Sequence, residues 1–222
     1  MKILFIGNSY TFFNDMPTLF ERIAKASERD VSVTSVTRGG RKLCEHAESG
    51  DDCTKRLDEL VAGTERFDAV VLQEQSLLPV IDYDKFLYGA RKLKEKLAGI
   101  AESFVLYATW GRKAGSPDLP AHSLTHESMT AALADAYKRV GEDIGAKVAC
   151  VGLNFHEVYT SHEEIELYNE DKSHPSSKGS ALAALTIYHT LFGELPKSTD
   201  CLELSNSEKQ IFSEVVSEGL KP

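Results

Sequence analysis

A serine hydroxyl is a weak nucleophile near neutral pH and needs a base that titrates in that range, which histidine does. The chain places these two ingredients far apart. Ser9 follows Gly7-Asn8 behind the apolar run Lys2–Ile6, and His174 lies in Asp171-Lys172-Ser173-His174-Pro175. A carboxylate three residues before a histidine in a tight loop can reach that ring's Nδ1, and Pro175 with a capping Ser176 or Ser177 would hold the loop still. Such a set supports acyl transfer, with Ser9 as nucleophile, His174 as general base and Asp171 as the orienting carboxylate. Alone, Gly7-Asn8-Ser9 also reads as a turn in which Ser9 or Thr11 bonds local backbone, or as a phosphate-cradling loop. The second option lacks hydroxyls ahead of its glycine, where Phe5-Ile6 stand, and neither a Gly-x-Gly-x-x-Gly nor a Walker loop is present. Asp–His pairs before helices are common on surfaces, yet paired with the glycine–serine turn they favour the catalytic reading.

Three further polar clusters follow apolar runs: Thr37-Arg38-Gly39-Gly40, Gln73-Glu74-Gln75-Ser76 and Thr109-Trp110-Gly111-Arg112. Trp110 could stack on a sugar or acyl group and Arg112 could pair with an acidic substituent; the alternative is a core tryptophan and a surface arginine. They open a stretch of lid length, Gly111 to Pro120. Glu74 is either an orienter of Gln75 or a solvated carboxylate, and both it and Trp110–Arg112 are carried as substrate-binding candidates. His46 is expected to be solvated. His122 and His126 have helical metal-ligand spacing, but Thr125 reads as an N-cap that leaves His122 outside the helix. No metal is expected, and no cofactor.

These clusters need elements that gather them. Lys2–Ile6, Val31–Val36, Ala69–Leu72, Phe104–Ala108 and Lys147–Val151 read as buried strands. Helical periodicity runs behind Pro17, over Phe86–Ile100 and over Met129–Ile144. Further helices are expected after Ser176 and from the capping box Ser205-Asn206-Ser207-Glu208. Cys44 and Cys53 fall in a loop-like stretch where a bridge is conceivable, although four reduced thiols are the default. Strand–helix alternation predicts a three-layer α/β/α sandwich on a five-stranded parallel sheet, in one domain spanning residues 1–222. In such sheets ligands sit beyond the carboxyl ends of the strands, where all four clusters fall.

Composition narrows the classes. With 42% hydrophobic and 27% charged residues the chain is ordinarily globular. Its net charge of −9 without a basic cluster argues against nucleic acid and anionic membranes. No apolar run approaches a membrane span, and the first six residues are too short for a signal peptide, so a cytoplasmic protein is expected.

The Gly-Asn-Ser turn paired with Asp171-x-x-His174 resembles the SGNH (GDSL-like) hydrolases, a superfamily of esterases, lipases, thioesterases and carbohydrate deacetylases on a flavodoxin-like fold. The resemblance spans nearly the whole chain as spaced blocks. It implies Ser9, His174 and Asp171 as the catalytic set. It also implies an oxyanion hole from the N–H groups of Ser9 and Gly40, with Gly39 as the alternative register, and from the side chain of Gln75. Two positions depart from the family pattern: Asn8 stands where aspartate is usual, and Gln75 where an asparagine donates to the oxyanion. The match looks like a variant branch whose first motif reads Gly-Asn-Ser. A small acyl group, acetyl for instance, on a carbohydrate is the implied substrate. The rival readings are a non-catalytic carbohydrate- or ligand-binding descendant and, with less support, a flavodoxin-like nucleotide or flavin binder.

Overall fold

The computed structural model describes residues 1–219. In chain order the elements are β1 Lys2–Gly7, α1 Ser9–Phe12, α2 Met16–Ala26, β2 Ser32–Thr37, α3 Leu43–Glu48, α4 Asp52–Ala62 and β3 Ala69–Leu72. There follow α5 Leu78–Ile81, α6 Tyr83–Leu97, β4 Phe104–Tyr107, α7 Asp118–Ala121, α8 His126–Ile144, β5 Lys147–Ala149, α9 Val151–Ser161, α10 Ser177–Phe192 and α11 Asn206–Glu218.

The five strands pair in parallel in the order β2-β1-β3-β4-β5. Successive strand side chains face opposite sides, so each apolar strand feeds two cores. Ile3, Phe5, Val71 and Tyr107 pack with α2, α9, α10 and α11, while Leu4, Ile6, Leu72 and Leu106 pack with α3, α4, α6 and α8. The result is the expected α/β/α sandwich. Because β1 is followed first by β2 on one side and then by β3 on the other, the chain reverses direction between β1 and β3. The crevice beyond the carboxyl ends of those two strands is where this architecture binds ligands.

Several local expectations need correction. Cys44 and Cys53 lie in α3 and α4, not in a loop, and all four cysteines are free. The buried Arg41 guanidinium gathers Asp51, the Glu45 carbonyl and Ser49, and Asp51 in turn caps α4 by accepting from Cys53 N and Thr54 N. The run Lys147–Val151 ends as a strand at Ala149, and Val151 begins α9. Ahead of the helix expected behind Pro17, the segment after Asn8 forms a single helical turn, Ser9–Phe12. It breaks at Asn14 (φ 53°, ψ 25°) and Asp15 (φ 51°, ψ 45°), two successive left-handed residues, before α2 restarts with Pro17 in its first turn. Each such non-glycine residue costs on the order of 1 kcal/mol and persists only where its surroundings impose it. No helix among the described residues is long and apolar enough to cross a membrane.

Candidate active site

The turn that carries Ser9 is built by close approach. A Cβ on Gly7 would stand 2.4 Å from Thr11 Oγ1 and 2.6 Å from Gln73 Oε1, so only glycine fits. Gln73 Oε1 accepts from Asn8 N (2.9 Å) and Thr11 Oγ1 (2.8 Å). Asn8 caps α1 by accepting from Tyr10 N at 3.1 Å, while its Nδ2 donates to the Arg41 carbonyl at 3.0 Å. That last bond fastens the Arg38–Arg41 turn, in which Gly40 takes φ +68°, against the Ser9 turn. An ionised aspartate at position 8 has no hydrogen to give, so the departure from the family's usual residue is used here as a donor. Neither Asn8's donor role nor the acceptor role of Gln73 is visible in residue spacing.

At the far end of the chain, Asp171 Oδ1 accepts from Ser173 N (3.0 Å) and His174 N (2.9 Å), and Oδ2 meets His174 Nδ1 at 2.5 Å. Burial pushes the Asp171 carboxyl up, but these hydrogen bonds from His174 and Ser173 outweigh it, and its pKa lies below the ordinary value. An ionised carboxylate can only accept, so Nδ1 carries the ring proton and Nε2 presents its lone pair. Nε2 lies 2.8 Å from Ser9 Oγ. The structure therefore brings Ser9, His174 and Asp171 into one hydrogen-bonded line across 165 residues of sequence.

Beside them opens a cleft of about 200 Å³ lined by Ser9, Gly40, Gln75, Ser76, Arg112 and Ser173 among others. The extra methylene of Gln75 is accommodated by folding. Its Oε1 accepts from Leu77 N (3.0 Å) and Leu78 N (2.9 Å), which fixes the amide and leaves Nε2 as its free donor. No hydrogen bond occupies the backbone N–H of Ser9 or Gly40 among the described residues.

The three substrate-binding candidates sit differently from expectation. Trp110 is fully buried, stacked between Tyr10 (centroids 4.7 Å) and Phe155 (3.9 Å), and its Nε1 donates to the Ser173 carbonyl at 3.1 Å. It backs the site and offers no face to a ligand. Arg112 reaches the cleft but is spent internally: it bonds the Tyr10 hydroxyl, Ser173 Oγ and Ser76 Oγ, and its Nε lies 3.0 Å from Asp118 Oδ2. Glu74 is wholly buried and accepts from Gln75 N (2.5 Å) and Leu43 N (3.2 Å), joining the third polar cluster to the start of α3. The stretch after Gly111 is no free lid, since Lys113 N donates to the Lys172 carbonyl and Lys172 Nζ to that of Gly115.

The histidines also move. His46 is buried, not solvated, with Nε2 2.8 Å from the Gly7 carbonyl. His126 lies inside α8 and pairs with His156 (3.0 Å) and the Arg112 carbonyl (3.0 Å) rather than with His122. Among the described residues no three His, Cys, Asp or Glu side chains form a group that could hold a metal.

Two of these buried groups titrate abnormally and in opposite senses. Burial pushes the Glu74 carboxyl up to about 8, against the pull of the Gln75 and Leu43 N–H groups. The unfolded carboxyl titrates near 4.5. Between these values the folded protein holds a proton that the unfolded chain has released, so stability falls as pH rises through that window and levels off above it. Burial pushes His46 down to about 4 from 6.5, so its contribution is lost as pH falls below 6.5. Glu74→Gln is expected to raise the thermal midpoint relative to wild type more at about pH 8 than at about pH 5. A constant difference between the two proteins over that range would show that Glu74 is ionised throughout.

Among solved structures, a protein of Slackia heliotrinireducens assigned to the SGNH hydrolases is 33% identical, with 86% of this chain aligned to 98% of that one at a TM-score of 0.73. The chain belongs to the SGNH hydrolases. A DUF4886 family protein from Bacteroides uniformis shares the fold of this SGNH hydrolase at a TM-score of 0.82 and 18% identity, over 98% of this chain and 93% of that one. So does Axe2, an acetylxylan esterase from Geobacillus stearothermophilus, at 0.65 and 17%, over 89% and 96%. No protein-family model and no curated protein matches the chain.

Proposed function

We propose that this SGNH hydrolase is a serine ester hydrolase that removes a small acyl group, acetyl in the first instance, from a carbohydrate or other small alcohol. The observation that carries the reading is the line Ser9 Oγ, His174 Nε2, Nδ1, Asp171 Oδ2, at 2.8 and 2.5 Å. Ser9 attacks the acyl carbon as His174 takes its proton, and Asp171 stabilises the imidazolium that forms. The N–H groups of Ser9 and Gly40 and the Nε2 of Gln75 receive the oxyanion. His174 then returns the proton to the leaving alcohol, and a water activated by the same ring releases the acid. A short acyl group is favoured because the cleft is small and, among the described residues, lined by hydroxyl, amide, guanidinium and imidazole groups without an aliphatic side chain. The fold shared with an acetylxylan esterase supports an acetylated sugar as the first substrate to try.

The test is a panel of acetylated sugars, chromogenic short-chain esters and acyl thioesters, run beside labelling by an acylating phosphonate. Turnover with label on Ser9 is expected. No turnover and no label would make the protein a binder on a hydrolase fold.

Gln75 gives a sharper result. Gln75→Ala is expected to lower kcat by roughly 10²–10³ with a much smaller change in KM, since an oxyanion bond tightens only in the transition state. A change confined to KM would make Gln75 a ground-state binding residue. If Gln75→Asn outperformed wild type, the cleft would not be built for the longer side chain.

A further inference from the structure

His174 sits on a half-exposed loop that includes a left-handed residue, Lys172 (φ 60°), and its ring is bonded at Nδ1 to Asp171 and at Nε2 to Ser9. The ring is also wedged. Phe13 lies flat against one imidazole face, with centroids 4.2 Å apart and planes at 12°, and the Tyr10 ring presents its edge at 5.4 Å. The next residue makes the matching tie through the backbone: Asn14 Nδ2 donates to the carbonyl of Pro175, adjacent to His174, at 3.1 Å and to Ser180 Oγ at 2.9 Å. Ser180 Oγ donates onward to the Phe13 carbonyl at 3.3 Å, closing the circuit.

Both contacts come from the one place where the backbone between α1 and α2 leaves its helical path. Phe13 leaves α1 in an extended conformation (φ −56°, ψ 139°), and Asn14 and Asp15 follow in left-handed conformations that cost energy; from this break Phe13 meets the His174 ring and Asn14 reaches the loop behind it. Asparagine and aspartate tolerate this conformation best among residues with a side chain. Pro17, which has no N–H and would clash with the carbonyl four residues before it, already bars a continuous helix from Ser9 to Ala26; the left-handed pair ahead of it sets the path by which the chain crosses the break.

We infer that the Phe13–Asn14 turn is a positioning device for the general base, with Phe13 restraining the imidazole face and Asn14 fixing the Pro175 backbone, so that Nε2 stays aligned on Ser9. This rests on the proposed hydrolase reading for its kinetic consequence, but not for its structural one. A base displaced by an ångström costs on the order of a hundredfold in rate. Neither residue touches the reacting atoms, so the loss should fall on kcat.

The experiment compares Phe13→Leu, Phe13→Tyr, Asn14→Gly and Asn14→Asp. Phe13→Tyr keeps the aromatic face, Asn14→Gly keeps the left-handed backbone without the amide, and Asn14→Asp keeps the shape without the donor. Expected are kcat losses of about 10- to 100-fold for Phe13→Leu, Asn14→Gly and Asn14→Asp, KM within about twofold, and near-wild-type kcat for Phe13→Tyr. Side-chain nuclear magnetic resonance of His174, assigned by loss of its signals in His174→Gln, should show a rigid ring in wild type and Phe13→Tyr and a mobile one in the other three. This second measurement needs no turnover, so an enzyme inactive on every ester would sink the hydrolase reading while the inference was still decided by the ring. Unchanged kcat with a rigid ring in Phe13→Leu and Asn14→Gly would overturn it, as would equal losses in Phe13→Tyr and Phe13→Leu. A lowered melting temperature with kcat and ring mobility unchanged would reduce the turn to a structural staple and overturn it equally.

Discussion

Ser9→Ala should abolish hydrolysis of a chromogenic acetate ester, by about 10⁶ in kcat, while moving the thermal midpoint little. The first half follows from the role, since no other hydroxyl among the described residues bonds His174 Nε2. The second follows from the surroundings. Ser9 is partly exposed and its side chain makes that single bond, so its loss costs on the order of 1 kcal/mol or less. The turn itself is held by Gln73, Thr11 and Asn8, which the substitution leaves in place. Rates with the chromogenic ester and melting curves on the same preparations settle it. Retention of more than a small fraction of the wild-type rate would place the nucleophile elsewhere.

Asp171→Asn carries the second largest expected effect, a fall of about 10⁴ in kcat, because the two oxygens of Asp171 have separable tasks. Oδ1 holds the loop through Ser173 N and His174 N, and an asparagine oxygen can still accept both bonds. Oδ2 receives the Nδ1 proton, and there an amide NH₂ would donate instead. The imidazole would respond by carrying its proton on Nε2, which could no longer accept from Ser9. Loop geometry should therefore survive while the base is disabled. Near-wild-type melting with a collapsed kcat is the expected signature. A loss of tenfold or less would demote Asp171 to a cap on its own loop and leave a Ser9–His174 dyad.

The strands and the long helices were legible because apolar periodicity reports burial directly. The glycine–serine turn and the Asp-x-x-His were legible because their chemistry depends on spacing along the chain. What escaped depends on contacts between distant residues. Trp110 reads as easily as a cleft wall as a core ring until Phe155 is placed on its other face. Glu74 reads as an orienter of Gln75 or as a solvated carboxylate, and nothing in its neighbourhood reveals that α3 begins against it. The helices α3 and α4 were hidden in a polar stretch, since their ends depend on Arg41 gathering Asp51 and Ser49 from residues that follow it. Asn14 has no sequence signal for a related reason: left-handed backbone is not periodic, and its partners lie 161 and 166 residues away.

The distance between Ser9 and His174 has a consequence for the life of the chain on the ribosome. The turn bearing Ser9 emerges well before residues 171–180 are synthesised, and β1 can pair with β2 and β3 in the interval. Until then Ser9 Oγ lacks its hydrogen-bond partner His174, and the face of the sheet that α10 will cover stands open. Contacts so remote in sequence close late, because the entropy of ordering the intervening loop must be met before they contribute. A nascent or truncated chain can thus carry much of the sheet and no hydrolytic competence. Appearance of activity would then time the docking of the His174 loop and α10 rather than the pairing of β1 with its neighbours.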